Sequence, residues 1–290
     1  DPADEYRTGL RQLLDMLLPT GARTVLGIEP RTFPAIALTY LTEHYPLVTL
    51  RDATATVARS RMVKTAREIA MLRHAARAAD AGQMALLAHA LPGTSELALW
   101  NALCGAIEAV AGGPAPITGE LVSGPRTSVV QYPGGPNHRL VEQGDTIVCD
   151  ISPCVGGYFA DCCNTLVVGG EATADQLHYF HAARDAWAAA VEALRPGRLA
   201  SDAADAAKAA FAKHGLPVAH YTGHGIGAAV NEQPRLVPYD RTPIEAGMVF
   251  AVEPGAYAGE GGTTGSRTEK MVHVTESGPE VLSQFTWGLS

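Results

Sequence analysis

Asp150 and Asp161 constrain this chain most, because both lie in or beside strand-forming runs where a bare charge is costly. Thr146 to Ser152 is β-branched and apolar, Tyr158 to Val168 is mostly so, and Gly156-Gly157 between them supplies a permissive turn. The stretch predicts a β-hairpin. With the turn centred between Val155 and Gly156, antiparallel pairing sets Asp150 directly across from Asp161. Like charges side by side destabilise a strand pair unless something positive lies between them. The hairpin therefore reads as half of a metal site.

The surrounding elements occur twice in one order. Apolar spacing predicts a long helix over about 67–89, with Ile69, Leu72, Ala76, Ala79 and Met84 on its apolar side. Pro92-Gly93 stops it, and Thr94 or Ser95 caps a second helix running to about Val110. Strands at Leu121-Val122 and Ser128-Val129-Val130 lead to the hairpin. A second long helix over 173–194 then ends at Pro196-Gly197, Ser201-Asp202 caps another helix to Lys213, and a second hairpin follows. An internal duplication, 65–168 against 173–276, explains this order and brings the two hairpins together about a pseudo-twofold axis.

The second hairpin supplies matching acids. Met248 to Glu253 and Ser266 to Val272 read as strands, and a turn at Gly261 sets Glu253 opposite Glu269. Between the hairpins in sequence lies Gly223-His224-Gly225-Ile226-Gly227, a histidine framed by glycines that permit close backbone approach. It supplies the nitrogen ligand that a site of four carboxylates would be expected to have.

Residues 1–60 form a separate small α/β pattern: a helix over 5–18, a strand at 24–29, a helix around 34–44 and a strand at 47–50, with no catalytic constellation. The formal charge of −8 and the lack of a Lys/Arg cluster argue against a nucleic-acid partner. No apolar run is long enough to span a bilayer, so no membrane partner is expected. Cys104, Cys149, Cys154, Cys162 and Cys163 match no structural zinc spacing and read as free thiols, which sets a cytoplasmic location as the expectation.

Gly144-Asp145 leading to Asp150 and Asp161, the Gly-His-Gly-Ile-Gly run, Glu253-Pro254-Gly255, and Arg267 with Glu269 together resemble the pita-bread metallopeptidases, which include methionine aminopeptidase, Xaa-Pro aminopeptidase, prolidase and creatinase. The resemblance covers about residues 60–290. Val63-Lys64-Thr65, His220, Tyr257 and the α/β segment at the start look closest to the Xaa-Pro aminopeptidase and prolidase branch. It implies an α+β pita-bread fold with pseudo-twofold duplicated halves over 61–290, preceded by a partial, creatinase-like N-terminal domain over 1–60. It also implies Asp150, Asp161, His224, Glu253 and Glu269 as ligands of two divalent metal ions, manganese first, with cobalt, iron or zinc as alternatives.

Carried further, the resemblance implies hydrolysis of a peptide or amide bond by a metal-bridging hydroxide. Glu253, Glu269 or Glu232 would handle the proton, and His220, Gln131, Asn231, Tyr257 and Arg267 would line the substrate cavity. Arg267 is also suited to orienting a carboxylate. A short peptide or small molecule is the expected substrate, and a homodimer the expected assembly. Two departures qualify this. The family usually has histidines where this chain has Gln131 and Asn231, and an amide cannot shuttle a proton near neutral pH. A C–N hydrolase or lyase acting on a small metabolite is therefore the alternative, and a non-catalytic binding module a weaker one. His138 is a candidate to fill the vacancy, and Asn164 stands where the family usually has arginine.

Overall fold

A computed structural model describes residues 2–18, 23–130 and 134–289; Gln131 lies outside them. The chain divides into two compact units, Asp1–Ser60 and Arg61–Ser290. The first contains α1 (Pro2–Leu17), β1 (Thr24–Ile28), α2 (Ala35–His44) and β2 (Val48–Asp52), with α3 spanning Thr54–Met62. β1 and β2 pair in parallel, which requires a crossover, and α2 supplies it. Leu14, Leu18 and Leu41 form the small core of this unit.

The second unit repeats one plan. Its first half runs α4 (Ala66–His89), α5 (Glu96–Ala111), β3 (Ile117–Ser123), β4 (Thr146–Val155), β5 (Tyr158–Phe159) and β6 (Cys162–Val167). Its second runs α6 (Ala174–Ala193), α7 (Ala200–Lys213), β7 (Gly223–Gly225), β8 (Glu232–Leu236), β9 (Val249–Val252), β10 (Gly255–Tyr257), β11 (Gly265–Arg267), β12 (Lys270–Thr275) and β13 (Gly278–Val281).

The same local devices open and close the helices of both halves. Thr65 and Glu68 form a capping box at the start of α4, and Thr173 and Gln176 form one at the start of α6. Gly93 and Gly197, each after a proline, both take φ 87°, a left-handed conformation in which a side chain would be strained. Ser95 caps α5 by accepting the Ala98 N–H.

Three local expectations are corrected. Ser201 and Asp202 lie inside α7 rather than before it, and the Asp202 carboxylate reaches back to the Leu199 N–H at 3.1 Å. Residues Gly124–Ser128 form a 3-10 turn, because β3 ends at Ser123 and the chain turns there instead of starting another strand. Met84 is exposed, although Leu72, Ala76 and Ala79 of the same helix are fully buried.

In one sheet β4 lies between β3 and β6; in the other the order is β13-β12-β9-β7-β8. α4 and α5 pack against each other and cover the first sheet, while α6 and α7 do the same for the second. Leu99, Leu103, Ile107, Leu121, Ile147 and Ile151 share the first core, and Phe211, Leu236, Phe250, Val252 and Val272 the second. Burying each such side chain contributes about 1.5–3 kcal/mol. Alternation then decides what the opposite sheet face carries. Cys149 and Ile151 point into the helix-covered core, so Asp150 between them points away from it. Among the described residues, no helix is long and apolar enough to cross a membrane.

Candidate metal centre

The first hairpin turns at Gly156-Gly157, with φ of 60° and 85°, the geometry of a two-residue type I′ turn. Val155 therefore pairs with Tyr158, and the register carries Asp150 opposite Cys163. Asp150 and Asp161 are not directly opposed, which corrects the register expected from the sequence. They are diagonal neighbours on one face. Ser152 donates to Asp161 Oδ1 at 2.9 Å, holding that carboxylate in place. In the second hairpin Val252 pairs with Lys270, and the next step of that register sets Glu253 across from Glu269.

One of the contacts that join the halves lies at the centre. Cys163 and Glu269 form an isolated antiparallel bridge, so the carboxylate of Glu269 comes beside that of Asp150, the partner of Cys163 in β4. His224 enters from β7, where a bulge falls between His224 and Gly225. Ligand atoms of Asp161, His224 and Glu269 all lie within 4.8 Å of one another. His224 Nε2 is 3.3 Å from Glu253 Oε1 and 3.5 Å from Asp161 Oδ2.

These donors fit a cation. His224 Nδ1 donates to the Gly225 carbonyl at 2.9 Å, so Nε2 is the nitrogen that faces the two carboxylates, and on losing its proton it would offer its lone pair to a cation held between them. Glu253 Oε1 and Glu269 Oε2 are buried with no hydrogen-bond partner. Burial pushes the Asp150 and Glu269 carboxyls well above the usual range, and Asp161 and Glu253 add like-charge repulsion to both. For His224, burial acts to lower the imidazole pKa, but the Asp161 and Glu253 carboxylates beside its Nε2 outweigh it and raise the pKa well above normal. The shifts follow from burying several carboxylates close together, an excess of negative charge that a divalent cation would offset.

Around the centre is a cavity of about 290 Å³, lined in part by Glu120, Asp150, His220, Tyr221, Asn231 and Arg267. His220 Nδ1 donates to the Tyr221 carbonyl at 2.9 Å, so its Nε2 accepts from the Tyr257 hydroxyl at 3.2 Å. Asn231 is exposed at the cavity wall.

Other residues proposed from sequence lie elsewhere. Glu232 does not line the cavity: its Oε2 lies 3.1 Å from Lys64 Nζ in a pair whose side chains are 5% and 2% exposed. Its other oxygen accepts the Ala229 N–H at 3.2 Å. That carboxylate braces the start of β8. His138 is exposed and does not line the cavity. Buried Asn164 bonds the Thr286 carbonyl and the Gly288 N–H, tethering the end of the chain.

Arg267 lines the cavity and is ion-paired there. Its Nη2 contacts Glu120 Oε1 and lies 3.0 Å from Asp150 Oδ2. Burial lowers its pKa to about 10, with Glu269 opposing that shift. Sequence reasoning missed Glu120, whose signal was the same as that of Asp150: an acid beside an apolar strand run, here Leu121-Val122.

Comparison with known proteins agrees with this arrangement. The model of metallopeptidase family M24 matches residues 70–276. The chain belongs to metallopeptidase family M24. An uncharacterized peptidase of Bacillus subtilis, YqhT, is 31% identical over 277 residues, 92% of this chain and 77% of that protein. The probable dipeptidase PepE of Mycobacterium tuberculosis is 36% identical over 78% of this chain, which spans 60% of the relative's length. The Xaa-Pro dipeptidase of Pyrococcus furiosus is 29% identical over 77% of this chain and 64% of its own. Among M24-like solved structures, the Pyrococcus furiosus prolidase superposes with a TM-score of 0.84 at 26% identity, covering 95% of this chain and 79% of the other. The Mycobacterium ulcerans dipeptidase PepE gives 0.82 at 31%, covering 97% and 74%. The pita-bread α+β fold follows.

Proposed function

We propose that this M24 protein is a metal-dependent dipeptidase or aminopeptidase acting on short Xaa-Pro-type peptides. The observation that carries the reading is the convergence of Asp161, His224 and Glu269 within 4.8 Å, with Asp150 and Glu253 beside them. Asp150, Asp161, His224, Glu253 and Glu269 would hold two divalent cations, manganese first, whose charge the four carboxylates balance. Such ions, when bound, acidify water and polarise a carbonyl.

The chain's own groups do the rest. Glu253 and Glu269 are the carboxylates placed to accept and return a proton. Tyr257 holds His220 with its ring against the substrate side, and the Asn231 amide can hydrogen-bond a substrate carbonyl or leaving group at the wall. A cavity of about 290 Å³ is near the lower end of small-molecule sites, roughly 300–1,000 Å³, and favours short substrates over long chains. The names of the Pyrococcus and Mycobacterium relatives point the same way. A homodimer is part of the reading by family resemblance, and a cytoplasmic setting by the five free cysteines.

Asn231 favours a second reading, because an amide at the cavity wall cannot protonate a leaving group. In that reading the centre serves a C–N hydrolase or lyase of a small metabolite. One experiment separates the two: chelator-stripped protein is assayed on Xaa-Pro dipeptides with and without added manganese. Manganese-dependent release of proline supports the peptidase. No release in either condition, with turnover in a screen of small amides and amines, overturns it in favour of the second reading.

A further inference from the structure

Arg267 is only 5% exposed, so protein groups must balance its charge. Two carboxylates meet its Nη2, those of Glu120 and Asp150. They differ in one respect. Asp150 belongs to the proposed ligand set, whereas Glu120 lies on β3, directly opposite Asp150 in the β3–β4 register and on the same face. A carboxylate that ligates a cation gives much of its charge to that cation. Asp150 therefore cannot serve fully as both ligand and counter-ion of a buried guanidinium.

The charges at the centre sharpen the point. With Glu120 included, five carboxylates face one guanidinium and His224, which is neutral when it ligates, leaving the four negative charges that two divalent cations would neutralise. Without Glu120, Arg267 would compete with the cations for Asp150. Glu120 itself is 3% exposed and its Oε2 has no partner, so the pair with Arg267 is its evident role.

We propose that Glu120 is a positioning residue of the metal centre: it carries the counter-charge of Arg267 and so frees Asp150 to bind a cation. It acts through Arg267. The inference rests on reading the centre as a cation site.

The test is manganese binding to the stripped full chain, without substrate, by titration calorimetry on wild type, Glu120→Gln, Arg267→Met and the double variant, with thermal melts to check folding. Glu120→Gln is expected to weaken manganese affinity by roughly 10–100-fold, the range for losing a group that supports a ligand. The double variant, in which nothing competes for Asp150, is expected to regain affinity to within about threefold of wild type. Unchanged affinity in Glu120→Gln overturns the inference, as does a loss that persists in a folded double variant. If Glu120→Gln does not fold, the double variant alone decides by the same criterion. Failure of the wild type to bind manganese would instead strike the cation-site reading itself.

Discussion

Cys163 and Glu269 belong to opposite halves of the second unit, yet they exchange two backbone hydrogen bonds: Glu269 N–H to Cys163 O at 3.0 Å and Cys163 N–H to Glu269 O at 3.3 Å. This bridge stitches the end of one hairpin to the start of a strand in the other. It fixes where four carboxylates meet. Cys163 opposes Asp150 and Glu269 stands across from Glu253, so this pair, with Thr165 and Arg267 bonded beside it, registers the two hairpins to each other.

Asn231 provides a gain-of-function prediction. It lines the cavity at the position where the family resemblance expects a proton-shuttling histidine. Asn231→His is expected to raise manganese-dependent Xaa-Pro hydrolysis at least about tenfold, below the 10²–10⁴ typical of a complete acid–base group because Gln131 is unchanged. Steady-state kinetics measure it. An unchanged kcat would place position 231 away from the leaving group.

The Lys64–Glu232 pair predicts a stability effect. Both side chains are almost fully buried, so Lys64→Met leaves an uncompensated carboxylate and is expected to cost about 3–5 kcal/mol. Replacing both, Lys64→Met with Glu232→Leu, should recover most of that loss. Denaturant unfolding of the two variants checks this. A small loss in the single variant would contradict the pairing.

Arg73 and Glu280 tie α4 to β13 through two hydrogen bonds of 2.7 and 2.6 Å. That pairing first, and His273 after it, lowers the Glu280 carboxyl to about 2, though burial opposes the shift. A carboxyl held below its unfolded value stabilises the fold above that unfolded value, and the contribution is lost as pH falls through the folded one. Wild type should therefore melt above Glu280→Gln at pH 6, with the gap narrowing as pH falls from about 4.5 toward 2. The groups are 40% exposed, so solvent screening keeps the gap small. A gap that widened on acidification would contradict the assignment.

Much of the fold was legible because local signals carry it: the apolar spacing of the long helices, the Ser95 cap and the two Pro-Gly stops are all short-range features. The ligand candidates were legible because an acid in an apolar strand has to be explained. Register was harder. Centring the turn one residue later, on Gly156-Gly157, shifts every cross-strand partner by two, and that moved Asp161 from Asp150 to the diagonal. The Lys64 partner of Glu232 was not legible because it lies 168 residues away in sequence. Glu120 was passed over because the arginine that explains it arrives from the other half of the duplication, and strand alternation alone gave it no role.

The central claim is that Asp150, Asp161, His224, Glu253 and Glu269 together hold divalent cations. Anomalous scattering from crystals of the stripped protein soaked in manganese tests it most directly. The account predicts two peaks bounded by those five side chains, with Glu120 on Arg267 and outside the ligand shell. No peak among the five, in a protein that still hydrolyses Xaa-Pro dipeptides, would contradict it.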